Sequence, residues 1–427
     1  MLQGSDFTIP NPSADGRFAG AEKAAILGMS TDITDANGKP IPIQRLMLHH
    51  IVFLNGGNPS AGRVLPDATC KTLTFPDNQT TVPALAERFY SAGEERSVFD
   101  LPNGYGYKVS AQDRWGMLFM VMNHRDRSDS AFIQYTITYT TEPEAAELRD
   151  VTPFWFDVEN CKADPFFDAP GGGKPGSTIT KRFVWTAPKN LRIVAGQGHV
   201  HGGAKIVRLR QLDCGNRVAA ESIPTWGTRR HPFYTVRPIL HEPGPINMTR
   251  FHSDVGIPVA KGQRIEFEAV YDNELPHTRV MATLIGAYKE DSAVTPETAC
   301  GPLPEVTYRA AEQPGRTETP RFTVPLVDPP SAETTPVPTD TIKVNGQQFS
   351  PRRVELHTGQ KLRWIFNTPD GNANLHDVTV ANGPRGFASP HLSEGRRFSH
   401  RFDVAGRYQL FCSLHPVSMS QEVIVRR

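Results

Sequence analysis

The sequence predicts an all-β protein, and three observations carry that expectation. Short apolar runs alternate with turns along the chain, and the run FIQYTITY at 132–139 alternates with period two, the mark of a half-buried strand. Glycine (35) and proline (37) are abundant among the 427 residues, which favours many short strands joined by turns. Only 38% of residues are hydrophobic, and helix-like windows such as VPALAERFYSAGEE at 82–95 are short.

A chain this long exceeds one hydrophobic core, and typical domain sizes suggest about three. Apolar runs at 46–54, 116–124 and 130–141 place a first unit at 1–147. KRFVWTAP, RIVAGQGHVHGG, AKIVRLRQL, RIEFEAVYDN and RVMATLIGAY read as the strands of a second unit at 148–302. The Pro, Thr and Glu-rich stretch at 303–339 reads as an extended linker, and the strand-like text from 340 to 427 as a third unit.

Lys and Arg total 46 against 45 Asp and Glu, so the bulk charge points to neither nucleic acid nor an anionic membrane, and small partners are expected. No segment approaches the roughly 18 uninterrupted apolar residues of a membrane helix, so no membrane insertion is expected. The opening MLQGSDFTIPNPSADG lacks the basic and apolar regions of a secretory signal. The cysteines nonetheless suggest export to a periplasmic, cell-envelope or extracellular setting. With Cys412 reserved for a metal, Cys70, Cys161, Cys214 and Cys300 form an even set, enough for two disulfides, with Cys214 and Cys300 pairing inside the second unit. Four free, buried thiols are the alternative.

The metal chemistry is clearest at the C-terminal end. His376 opens one strand, and Cys412, His415 and Met419 cluster as C-x2-H-x3-M after the strand YQLF. Two imidazoles, a thiolate and a weak thioether are the donor set of an electron-transfer copper site. Upstream, His199 and His201 in GQGHVHGG are separated by one residue, so both imidazoles project from one face of a strand. The doublet His49–His50 in LMLHHIVF is different. Neighbours on a strand point to opposite faces, so these two can share a metal only where the strand is distorted or ends. No acid flanks the H-x-H pair, which argues against a zinc hydrolase of the H-E-x-x-H kind.

Two resemblances follow from these motifs. Residues 340–427, with Asn374 and His376 upstream and the Cys412, His415, Met419 loop, resemble the plastocyanin and amicyanin family of blue copper proteins. That implies a Greek-key cupredoxin sandwich, one type 1 copper and one-electron transfer through the exposed edge of His415. The ordered series LHHIVF, MVMNH, GHVHGG and VYDN followed by RVMATLIGAY resembles the copper type II, ascorbate-dependent monooxygenases, the family of peptidylglycine α-hydroxylating monooxygenase and dopamine β-monooxygenase.

The second resemblance implies two tandem jelly-roll-like sandwiches. The first would hold an electron-transfer copper through His49, His50 and His124, the second an oxygen-binding copper through His199, His201 and Met281. The thioether of Met281 would favour the cuprous state that meets dioxygen. Together the two imply up to three copper ions, ascorbate or another one-electron reductant as donor, and dioxygen with a small organic substrate hydroxylated at an activated C–H bond. Gln197 stands where the peptide-amidating members carry a carboxylate-binding arginine, and Thr283 and Ile285 depart from their residues after the methionine, so a peptide C-terminus is not the expected substrate. The competing reading is a non-catalytic copper carrier on the same scaffold. His231, His241, His252, His277, His357, His391 and His400 read as surface or structural, with His252 and His277 nearest the second site.

Overall fold

The computed structural model describes residues 2–9, 23–75, 80–123, 125, 127–228, 230–235, 242–309, 335–367, 375–416 and 418–427. The protein is all-β, with three pairs of sheets along the chain, each closed over its own apolar core. In the first pair, the strands Leu2–Ile9, Trp115–Asn123, Leu46–Asn55 and Glu87–Gly93 lie side by side in that order. The facing sheet runs Phe132–Thr141, Lys23–Thr34, Tyr105–Ser110 and Arg149–Asp150. Ile26, Ile51, Phe53, Phe89, Tyr107 and Trp115 fill the space between. Exposure of Phe132–Thr141 alternates along its length, as the period-two sequence requires.

The helix-like window at 82–95 proves to be a strand. Glu87–Gly93 is buried at every position and pairs with Leu46–Asn55, so tertiary burial outweighs the local helical preference of Ala, Glu and Arg.

The second pair sets Thr152–Asp157, His277–Glu290, Leu191–Val200, Arg250–Val259 and Thr307–Arg309 against Thr178–Thr186, Arg264–Asp272, Ala204–Gln211 and Arg217–Ser222. Phe154, Phe156, Trp185, Phe251, Phe267 and Tyr271 form its core. The segment read as a linker is thus partly structural: Thr307–Arg309 adds an edge strand to this sheet, and Val337–Pro338 pairs with Arg353–His357 in the third. Residues 310–334 lie outside the described residues.

The third pair packs Arg353–His357, Ser420–Arg426, Gly406–Phe411 and Thr379–Asn382 over Thr341–Asn345, Lys361–Phe366 and Arg397–Arg401, around Trp364, Phe366, Tyr408 and Leu410.

The first two sandwiches share a tight seam. Val194 and Ala287 of the second join the core of the first. Cys70–Cys161 links the two, and the Trp155 amide donates to Thr69 Oγ1 at 3.0 Å. The second disulfide is Cys214–Cys300, so all four cysteines expected to pair do so, and Cys412 is a free, buried thiol. Among the described residues no helix is long and apolar enough to cross a membrane.

Candidate metal centres

The histidine doublet sits where its strand is distorted. In the pairing with Trp115–Asn123, His50 lies opposite Met120 and Leu48 opposite Val121, so His49 is the extra residue of a β-bulge. The bulge turns His49 toward the side of its neighbour, and the two Nδ1 atoms approach to 2.8 Å. Two ring nitrogens that close need a shared proton or cation between them.

The H-x-H pair reaches the same place from across the seam. The His49 and His201 rings stand edge to face with centroids 4.9 Å apart, and His199 and His201 are 5.1 Å apart at 90°. The four imidazoles therefore form one continuous run of ring contacts, while the sequence resemblance expects them in two copper centres. His49, His199 and His201 are buried. Met281 lies on the strand that pairs with the H-x-H strand. His199 pairs with Thr283 and Val200 with Ala282, so one further step sets Met281 level with His201. Tyr271 ties the two together, its hydroxyl accepting from the His201 amide at 3.3 Å and donating to the Met281 carbonyl.

Sequence reasoning missed Glu95. Its Oε2 lies 2.9 Å from His199 Nδ1, while its Oε1 accepts from Ser97 Oγ at 2.6 Å and from the Gly93 amide at 3.1 Å. The carboxylate thereby holds the proton on Nδ1 and leaves Nε2 facing inward, buried and without a hydrogen-bond partner among the described residues. Burial alone would lower the His199 pKa, but the Glu95 carboxylate outweighs it and the net shift is upward. Burial likewise works against the Glu95 charge, and the charge and hydrogen bond of His199 reverse that, holding its pKa down. Gly93 makes the approach possible, since a Cβ there would come within 2.5 Å of the His199 ring. The only sequence signal was the Glu94–Glu95 doublet at the end of a buried strand.

A shallow, open cleft is lined by Ser91, Phe99, Gln197, Arg250, His252 and Ile285 among others. Gln197, which lines the cleft, and His199 lie on one face of their strand. His252 is buried there, 3.2 Å from Asp100. His277 is buried against Glu242 (2.8 Å) and Asp272 (3.3 Å); burial works against its charge, but the two carboxylates raise its pKa to about 9.

In the third sandwich, donor atoms of His376, Cys412 and His415 all lie within 4.8 Å of one another. Cys412 Sγ is 3.9 Å from His376 Nδ1 and 3.6 Å from His415 Nδ1. Met419 is fully buried, its amide donating to the His415 carbonyl and its carbonyl accepting from the Cys412 amide. Burial, then the nearby Asp377 charge, pushes the Cys412 thiol well above its ordinary pKa; a bound cation is the partner that would let it ionise. His124, His241 and Asn374 lie outside the described residues. His391 and His400, read as surface or structural, are partly buried, His391 2.7 Å from Arg279 Nη2 and His400 stacked on Phe387 at 3.7 Å.

Two curated relatives resemble this chain at low identity. A probable copper-dependent oxygenase from Phoma sp. is 26% identical over 195 residues, 43% of this chain and 43% of that protein. A second probable copper-dependent oxygenase, from Cochliobolus lunatus, is 25% identical over 189 residues, 41% of this chain and 52% of that protein. The chain spans about half the length of the curated relatives it matches. No family model matches. Among solved structures, a reduced amicyanin variant aligns at 21% identity, covering 20% of this chain and 80% of that one, with a TM-score of 0.18. A purple cupredoxin from Nitrosopumilus maritimus aligns at 26% identity over 21% of this chain and all of that one, also at 0.18.

Proposed function

We propose that this chain is a copper-dependent oxygenase that hydroxylates an activated C–H bond of a small organic substrate, with single electrons relayed from a copper site in its C-terminal, cupredoxin-like sandwich. The observation that carries this reading is the convergence of His49, His50, His199 and His201 on the seam of two sandwiches, with Glu95 fixing one tautomer. The relatives named as copper-dependent oxygenases support the same chemistry. Residues 1–147 and 148–302 act as the two halves of the oxygenase, and 340–427 as the electron-transfer domain.

The residues present fit copper. Imidazoles with a neighbouring thioether suit a cuprous ion, and the His376, Cys412, His415, Met419 set joins two imidazoles, a soft thiolate and a thioether. Bound copper would supply one-electron redox chemistry and a point of attachment for dioxygen. The protein's part is to hold and orient. Glu95 keeps the His199 proton on Nδ1 so that Nε2 serves as donor. Tyr271 fixes the spacing between the His201 and Met281 backbones. Ser91, Ser97, Asp100, Gln197, Arg250 and His252 offer polar contacts in a cleft that Phe99 and Ile285 also line, a mixed surface that a small, partly apolar substrate could meet.

Copper-loaded protein, supplied with ascorbate and a panel of compounds bearing benzylic, allylic or heteroatom-adjacent C–H bonds, should consume oxygen in step with product carrying one atom from labelled dioxygen. The His199→Ala variant should lose this activity. Uptake no greater than that of free copper across the panel, with ready release of copper to a chelator, would instead favour the carrier reading.

A further inference from the structure

The strand that carries Met281 also carries Arg279, which does not behave as a strand residue. Its φ is +53°, a region costly for a side chain with a Cβ. The pairing slips at the same point. Val280 lies opposite Phe167 and His277 opposite Ala169, leaving one extra residue on the Arg279 side. The distortion sends the guanidinium into the third sandwich. There Nη1 lies 3.0 Å from Asp377 Oδ2 and 3.3 Å from the Ser389 carbonyl, and the group stacks over Phe166 at 4.0 Å.

Asp377 is the covalent neighbour of His376, and its amide lies 3.5 Å from Cys412 Sγ. Its carboxylate accepts from the amide and hydroxyl of Ser413, the residue after Cys412, at 2.6 and 2.7 Å. The Asp377 side chain is wholly buried and that of Arg279 is 13% exposed. A dry carboxylate needs a cation, and this one comes from another sandwich. The surrounding contact is built of ordered hydrogen bonds. The Gly386 amide donates to the Pro170 carbonyl at 2.7 Å, the Ala388 amide to Asp168 Oδ2 at 2.8 Å, and Thr278 Oγ1 to the Val380 carbonyl at 2.8 Å. Asp168 also accepts from the Arg279 amide, so one carboxylate joins both sides.

We infer that Arg279 is a positioning residue that seats the C-terminal sandwich on the second one and closes a polar link between the two candidate copper sites. The inference rests on the relay reading above. The link has one non-covalent step, the ion pair between Arg279 and Asp377. Covalent bonds join Asp377 to His376 at one end and Arg279 through Val280 to Met281 at the other. One electron passing along it oxidises the thiolate site by one unit and reduces the site at His199, His201 and Met281 by one. No bond changes and no proton moves, and a soluble one-electron reductant of the ascorbate class restores the donor. The seating is fixed, in contrast to a domain that swings on a flexible tether.

The test compares the copper-loaded full chain with Arg279→Met and Arg279→Lys. Three quantities are read: the thiolate-to-copper absorption, hydrogen exchange at the Gly386 and Ala388 amides, and the rate of electron passage after pulsed reduction of the thiolate site. Arg279→Met should keep the absorption, exchange both amides at least tenfold faster and slow the passage at least tenfold, with Arg279→Lys recovering part of each. Should Arg279→Met lose the absorption, Arg279→Lys, which keeps the charge without the planar fork, carries the same comparison. Unchanged exchange at both amides would overturn the seating role, whatever the electron rate. Faster exchange in a protein whose parent passes no electron would uphold the seating and overturn the relay.

Discussion

Replacing Glu95 with glutamine isolates the tautomer argument, because the change is isosteric and alters one bond in kind. The glutamine carbonyl can take over the two contacts of Oε1, from Ser97 Oγ and the Gly93 amide. Its amide nitrogen then occupies the place of Oε2, 2.9 Å from His199 Nδ1, and presents a proton to it. Nδ1 must become an acceptor, which moves the imidazole proton to the buried Nε2. A metal arriving at Nε2 must displace that proton. Loss of such a supporting partner weakens metal binding about 10- to 100-fold, equivalent to about 1.4–2.7 kcal/mol. The assay is a competitive titration of copper-free protein with cuprous ion against a chromogenic chelator, using a Cys412→Ser background so that only the histidine cluster is read. Glu95→Gln should shift the competition by at least tenfold, while Glu95→Asp, which keeps a carboxylate but shortens it, should fall between. If Glu95→Gln binds as tightly as its parent, Glu95 does not orient His199 and the cluster needs another explanation.

Two further outcomes follow from other parts of the molecule. Glu87 is buried, accepts from Tyr107 Oη at 2.7 Å, and is pushed by burial up from 4.5 to about 7. The unfolded chain gives up this proton first, so stability should fall as pH rises from about 4.5 to about 7 and level off above. Glu87→Gln should abolish a decline of about 3 kcal/mol; denaturant midpoints of copper-free protein at pH 5 and pH 8 measure it, and an identical pH slope in both proteins would contradict it. Cys412→Ser should lower the copper content by one ion per chain and abolish intense visible absorption while the histidine cluster still loads. Metal analysis and the spectrum check this together, and a retained blue band would remove Cys412 from the site.

Much of the fold was legible because strand signals are local. The alternation in FIQYTITY and the glycine and proline punctuation report each residue's own surroundings, and these features became strands and turns. The exception, Glu87–Gly93, has helix-favouring residues whose fate is set by burial between distant neighbours, which no short window reports. The C-terminal donor candidates His376, Cys412 and His415, which the fold brings together, stood out in the sequence for a similar reason, since two of them lie three residues apart on one loop. The H-x-H pair and the doublet were visible as motifs, but their merger was not. It depends on the bulge at His49 and on the angle at which two sandwiches meet, and both are tertiary facts. Glu95, Arg279 and Asp377 were missed because each acts through a partner about 100 residues away, with nothing in its neighbours to mark it.

The histidine cluster takes its donors from both sides of the seam, and this bears on how the protein can be made safely. A nascent chain that has emerged only as far as residue 150 carries His49 and His50 but neither partner from the second sandwich, and no Glu95-oriented imidazole. Copper trapped there early would lack the environment that directs its reactivity. The four imidazoles meet only when residue 201 is out and the two sandwiches have closed on each other, so on the proposed reading assembly itself would gate metal loading.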